Sequence, residues 1–256
     1  MAQNSVASED NELGVIPTRA ALRAPDFPHE IAANEYGFYC IPTAYMDREV
    51  PKVLRSGGVY EPATLKLIRR KLAGGDVIAG GGFVGDFFPA ISEALAPGRL
   101  LHSFEPNPVS HASALLTIGL NGLTNICLHR VAVGEASGRM HLQVATGHDK
   151  PMAARARIVD AAREDQTIEV AMRRLDDLVP PGRRVTVLQL DIEGHEWPAI
   201  LGASRIIREN RPMILLEANR PRRQRQYQRD LKQKFPELGY RMVGALERNG
   251  IFLPIG

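Results

Sequence analysis

The sequence predicts a doubly wound α/β domain, and three observations carry that expectation. Short apolar segments alternate with helical ones from about residue 61 onward; the apolar segments are continuous rather than alternating; and a glycine cluster follows the first of them directly. Continuous apolar strands are those of a parallel sheet covered by helices on both faces. Composition is compatible with a packed core, since 44% of the 256 residues are hydrophobic, 24% charged and 6% aromatic.

The elements follow in order. Residues 1 to about 25 are polar and without period, so a loosely docked tail is expected. YGFYCIPTAYM, Tyr36 to Met46, reads as a hairpin or extended strip, either a cover for the core or a substrate lid. Residues 1–60 are accordingly set apart as an N-terminal extension, and 61–256 as the catalytic domain. ATLKLIRRKLAGG spaces Leu65, Ile68 and Leu72 as a helix with a glycine stop. DVIAG, RLLHSFEP, NICLHRVAVG, VTVLQLDIEG and PMILLEAN read as strands, with RMHLQVA as a supplementary one. FVGDFFPAISEALAPG, PVSHASALLTIGLNG, RRLDDLVP, EWPAILGASRIIREN and RRQRQYQRDLKQKFPELG read as helices. YRMVGALERNGIFLPI closes the chain as a hairpin-like pair, and residues 146–166 read as an insertion.

Other classes are excluded early. A balance of 32 basic and 29 acidic residues gives no argument for nucleic acid or membrane as partner. Cys40 and Cys127 lie in no disulfide or zinc spacing, and no metal is expected. The polar, acidic start lacks a leader pattern and no run approaches a membrane span, so a cytoplasmic protein is expected. Self-association is left open.

Two features mark a cofactor site. In DVIAGGGFVGDF, Gly80, Gly81 and Gly82 turn the chain between strand and helix, where a nucleotide-like ligand can approach the backbone. One strand later, Phe104-Glu105-Pro106 places Glu105 where such folds hold a carboxylate for ribose hydroxyls; the alternative is a solvated strand-end acid. Gly80, Gly82 and Gly85 also fit the dinucleotide spacing, so glycines alone do not choose the cofactor.

Asp76 opens the strand as D-x-x-x-G-x-G, which resembles the first motif of Rossmann-like methyltransferases. With SFEPNP, LNGL, VAVG, LDDL, LQLDIEGHEWPAILGA and RPMILLEAN, the stretch from Glu61 to Asn219 resembles the FkbM-type S-adenosylmethionine (SAM)-dependent methyltransferases. The resemblance implies a seven-stranded sheet, SAM across the C-terminal strand edges, and methyl transfer to a hydroxyl of a small molecule such as a sugar or secondary metabolite. It assigns Asp76, Gly80, Gly81, Gly82, Glu105, Asn107 and Asp191 to the cofactor, with Glu61 reaching the methionine amino group or capping its helix. Ile78 departs from the pattern, standing where the general motif has its first glycine.

An alcohol acceptor must lose a proton, which calls for a base. His195, at a helix start where the dipole favours neutral imidazole, is the first candidate; Asp191 is the second. Capping or structural roles are the alternatives for both, and Glu193 is read as a cap. Asp191, Glu217 and Asn219 form a weaker Mg²⁺ candidate. Trp197 is assigned to packing. The basic run Arg220 to Lys234 reads as a solvated face or a surface for an acidic partner. Two other readings remain: a nicotinamide-dependent oxidoreductase, and a noncatalytic binding protein on the same fold.

Overall fold

The computed structural model describes residues 24–144, 157–159 and 167–255. A hairpin of β1 (His29–Asn34) and β2 (Gly37–Pro42) leads through a 3-10 turn at Thr43–Tyr45 to α1 (Glu49–Arg55) and α2 (Pro62–Lys71). The sheet then begins. β3 (Asp76–Gly80), α3 (Phe88–Ala94), β4 (Leu101–Phe104), α4 (Pro108–Leu120) and β5 (Ile126–His129) form one half. After β6 (Ala132–Val133), β7 (Gly138–Gln143), β8 (Arg157–Val159), β9 (Thr167–Arg173) and α5 (Leu175–Leu178), the other half is built from β10 (Val185–Leu190), α6 (Glu196–Leu201), α7 (Ser204–Asn210) and β11 (Met213–Glu217). α8 (Pro221–Lys234) leads to β12 (Arg241–Leu246) and β13 (Asn249–Leu253).

The central sheet has seven strands in the order β12-β13-β11-β10-β3-β4-β5. β11, β10, β3, β4 and β5 are parallel, and β13 runs antiparallel to both β11 and β12. The doubly wound, mostly parallel expectation therefore holds. Strand order reverses between β3 and β10, where diverging connections leave a crevice at the C-terminal strand ends. One sheet face packs Ile78, Phe104, Leu188 and Leu190 against Ile200, Ile206, Tyr227 and Leu231. The other packs Val77, Leu101 and Leu215 against Leu65, Ile68, Ile91 and Ile118. Ile78 thus points into the core, and its departure from the glycine pattern falls on packing rather than on the crevice.

Several boundaries differ from the sequence reading. NICLHRVAVG is two strands, because the chain leaves the central sheet after His129 and β6 joins a second sheet ordered β6-β9-β7-β8. The β9 segment TIEVAMR was not expected as a strand; it carries most of that sheet by pairing with β7. The helix after the glycines begins only at Phe88, with Pro89 in its first turn, because positive φ at Phe83 and Gly85 keeps residues 81–86 out of helix. EWPAILGASRIIREN is likewise two helices. A Cβ on Gly202 would fall 2.0 Å from the Gly134 carbonyl oxygen, so the chain bends where only glycine fits. Of the 146–166 insertion, only β8 lies within the described residues, as does none of the tail before residue 24.

The N-terminal hairpin is docked on α4. Thr117 Oγ1 accepts from the Cys40 N–H (3.1 Å) and donates to the Val84 carbonyl (2.7 Å), while Asn121 exchanges hydrogen bonds with the Phe38 backbone. Tyr39, Ile41, Tyr45 and Leu54 then pack on Phe83 and Val84, which lays the segment beside the glycine loop. No helix among the described residues is long and apolar enough to cross a membrane.

At the opposite, N-terminal end of β3, Asp76 is fully buried and clasped by Arg183, whose Nε and Nη2 donate at 2.6 Å each. Burial raises the Asp76 pKa, but hydrogen bonds from His102, Arg183 and the Leu100 N–H outweigh it and leave the carboxyl below its ordinary value. The resulting stabilisation is present above the unfolded pKa, near 3.9, and is lost as pH falls through the folded one. Arg183→Met strands that carboxylate, so a loss of about 3 kcal/mol is expected at pH 7, shrinking toward zero in acid. Urea unfolding at pH 7 and pH 3 measures it; an equal loss at both would place the effect in packing.

Candidate active site

The crevice between β3 and β10 opens into a cavity of about 530 Å³, within the usual range for small-molecule sites. Its walls come from the glycine loop (Gly81, Phe83, Asp86), the strand ends (Glu105, Asp191, Glu193, Glu217), the N-terminal segment (Asp47 to Val50, Lys52, Tyr60) and Arg248 in the last hairpin. A smaller adjoining recess is lined by Glu61, Gly82, Ser103 and Gln189.

The glycine loop is held by backbone contacts. Gly81 has a φ of 86°, and a Cβ there would lie 2.1 Å from the Asp191 carbonyl oxygen, so any larger residue drives β3 and β10 apart. Gly80 lies under Leu190 and Ile192, and Gly82 against Ser103 and Glu105. Glu105 closes the loop from the next strand: its two carboxylate oxygens accept from the Phe83 and Asn107 N–H groups, each at 2.8 Å. Each oxygen keeps a second lone pair, so Glu105 can tie the loop and still accept from a ligand hydroxyl. Burial pushes its pKa up to about 7, against the two N–H bonds. Asn107 caps α4 by accepting from the Val109 N–H, and does not line the cavity.

Acidic groups crowd the opposite wall. Asp191 follows β10, Glu217 ends β11, and Glu61 precedes α2 with a left-handed φ of 42°. The Asp191 carboxyl is pushed well above the carboxylate range, first by burial and then by Glu217, Glu61 and Glu193. Burial raises Glu61 to about 7, against a hydrogen bond from Asn249 Nδ2 (2.7 Å) to its Oε2. Glu61 Oε1 is buried with no hydrogen-bond partner among the described residues. A buried carboxylate oxygen left bare is costly unless a donor arrives.

Two further sequence candidates lie elsewhere. Asp76 is at the far end of β3, about 13 Å from Gly80 at 3.3 Å per residue, and is spent on Arg183 and His102. His195 lines neither the cavity nor its recess. Its Nε2 is buried without a partner among the described residues, and a Cβ on Gly134 would fall 3.1 Å from it, so the ring faces the second sheet. Burial holds His195 below the usual imidazole range, against the pull of Glu196.

The turn after β10 is organised by Glu196, which sequence reasoning passed over. Its Oε1 accepts from the Ile192 and Gly194 N–H groups, while Oε2 accepts from Tyr227 Oη (2.9 Å) and Arg223. Glu193, in the same turn, lines the cavity at a φ of 54°. Asp86, raised to about 7 by burial, was also missed, although its place directly after Gly85 was a readable signal. Tyr60 and Arg248 join through a hydrogen bond across the fold, which no local pattern announces. Trp197 packs against the core as expected.

Residues 76–242 match the family model of the methyltransferase FkbM domain, well over half of the chain. A methyltransferase domain is thus the class that fold and match define. The chain belongs to the FkbM methyltransferase family, whose cofactor is S-adenosylmethionine. No curated protein matches. Among solved structures, similarity extends to a methyltransferase FkbM from Methylobacillus flagellatus KT, at 18% identity and a TM-score of 0.48 over 70% of this chain and 43% of that one. A methyltransferase from Geobacter sulfurreducens matches at 13% identity and 0.45, over 76% and 77%. M. jannaschii TYW2, in complex with AdoMet, matches at 12% and 0.49, over 90% and 89%. The chain spans less than half the length of the Methylobacillus protein.

The residues present fit that cofactor. Its sulfonium and ammonium are cations; the cavity offers several carboxylates, and the adjoining recess offers Glu61, with an oxygen that is buried and bare among the described residues. For Glu61 the raised pKa means that stability is greatest below the unfolded value and is lost as pH rises through about 7. Glu61→Gln removes that loss, so the ligand-free variant is expected to exceed the parent at pH 8 by about 1–3 kcal/mol and to equal it below pH 4. Chemical denaturation at the two pH values checks this; no difference at pH 8 would show that Glu61 ionises there without cost.

Proposed function

We propose that this protein transfers a methyl group to a hydroxyl oxygen of a small molecule, such as a sugar or secondary metabolite, with Asp191 as the base. The observation that carries the reading is that Asp191 and Glu217 line the cavity at the β3–β10 crevice while Glu61 lines the recess that Asp191 shares with it, with Glu61 Oε1 unpartnered among the described residues. When bound, SAM supplies a methyl group on a sulfonium, so the reaction is an in-line displacement that needs positioning and exclusion of water. Glu61 receives the amino group, and Glu105 accepts from the ribose hydroxyls with its remaining lone pairs. Gly80, Gly81 and Gly82 let the backbone approach the cofactor.

A cation in the cavity favours the ionised forms of the surrounding carboxyls. Asp191 is then a carboxylate whose proton affinity burial has already raised, which suits it to take the acceptor's hydroxyl proton near neutral pH. His195, turned toward Gly134, supports the strand-end turn instead. The N-terminal extension, residues 1–60, acts as a cover through its Asp47 to Lys52 segment, and Arg48 and Lys52 beside the carboxylates give the acceptor end of the cavity both signs of charge. A soluble protein acting in the cytoplasm on a small acceptor, without nucleic acid or membrane as partner, suits this reading. The family match leaves the oxidoreductase reading without support.

Calorimetric titration with SAM, S-adenosylhomocysteine and NAD, followed by a screen of hydroxyl acceptors, tests the proposal. Binding of the two sulfur ligands and not NAD is expected. Asp191→Asn should lower turnover by about 10²-fold or more with a smaller change in SAM affinity, whereas His195→Ala should retain most of the turnover. The reverse pattern would move the base to His195. Failure of every sulfur ligand to bind would favour a noncatalytic protein on this fold.

A further inference from the structure

Away from the crevice, β4 and β5 bring together three residues that no sequence spacing connects. His102 and Cys127 are directly opposite each other in the parallel pair, and His129 lies two residues beyond Cys127 on the same face. One ligand atom from each of the three lies within 4.8 Å of the other two. Cys127 Sγ and His129 Nε2 are 3.4 Å apart. Both histidines are buried, at 2% and 3% exposure, while Cys127 is half-buried and leaves a path from solvent.

The state of His102 singles this group out. Its Nε2 lies 3.1 Å from Asp76 Oδ2, and Asp76, clasped by Arg183, is a carboxylate that only accepts. The proton therefore sits on Nε2, and Nδ1 presents a bare lone pair. Nδ1 is buried and has no hydrogen-bond partner among the described residues. A carboxylate holding one nitrogen of a histidine so that the other can ligate is the arrangement found behind metal-bound imidazoles.

We propose that His102, Cys127 and His129 bind one transition-metal ion of the zinc(II) type. Two imidazoles and a thiolate are the donors such an ion takes. With metal–sulfur and metal–nitrogen bonds of about 2.3 and 2.05 Å, ligand atoms stand about 3.4–3.8 Å apart. The Cys127–His129 pair is already at that spacing, and His102 has at most about an ångström to close. On binding, the Cys127 thiol releases its proton to solvent and the imidazoles ligate as neutral groups. The ion ties edge strand β5 to β4, and because the Glu105 N–H donates to the His129 carbonyl oxygen (3.0 Å), it also stiffens the strand end that carries Glu105.

The test uses the tag-free full chain, stripped with a chelator and titrated with cobalt(II) and then zinc(II). One equivalent of cobalt should bind with a thiolate-to-metal charge-transfer band, be displaced by zinc, and raise the melting temperature. Cys127→Ser should abolish the band, while Cys40→Ser should keep it. His102→Gln should weaken binding by about 10-fold or more; because that change also disturbs the buried hydrogen bond to Asp76, Cys127→Ser at the half-buried position is the deciding variant. No thiolate band, or equal binding by Cys127→Ser, would overturn the proposal and leave a thiol–imidazole hydrogen bond in place of a metal site. Neither result depends on methyl transfer.

Discussion

Everything in the crevice depends on how closely the turn after β3 can approach the end of β10. With no side chain at Gly81, the loop backbone lies against the Asp191 carbonyl, and Asp191 N–H reaches back to the Gly80 carbonyl at 3.3 Å. That contact brings a carboxyl from one half of the sheet beside a cofactor loop from the other. A methyl group at Gly81 would open the gap and displace Asp191, Glu105 and the Phe83 backbone together, since Glu105 is bonded to that backbone. The reactive end of the fold is therefore set by sterics first and by charge second.

Charge then works against the fold at the pocket. Asp86, Glu105, Glu61 and Asp191 all have carboxyls raised by burial, which means that each would be more comfortable neutral. Such crowding is unfavourable for folding and favourable for receiving a cation, and perturbed acids gathered in a cleft are a mark of function. Asp76, at the other end of β3, is the contrasting case: two guanidinium bonds and an imidazole hold it ionised, and it serves the architecture.

Much of this was legible in the sequence, because parallel strands buried on both faces and capped helices leave local patterns. DVIAG, VTVLQL and PMILLE could be little else. Glu61, Glu105 and Asp191 were identified from strand or helix ends, and the structure brings them to one cavity and its recess. Asp76 was misplaced because a motif match says which strand a residue belongs to and not which end faces the ligand. His195 sat close in sequence to Asp191, but the Glu193-Gly194 turn sends the ring the other way. The break at Gly202, the pairing of β9 and the arrival of Arg248 depend on contacts between distant segments, and such contacts leave no periodicity.

The hydrogen bond between Asn249 and Glu61 spans 188 positions of chain. β13 is inserted between β11 and β12, so the strand carrying Asn249 takes its place only after the parallel strands it borders exist. During synthesis the N-terminal half can therefore collapse onto its glycine loop while Glu61 still lacks its orienting partner. The pocket is completed by the strand that comes last in its sheet's chain order, and a nascent chain cannot sequester cofactor through Glu61 in its final orientation before that sheet is whole.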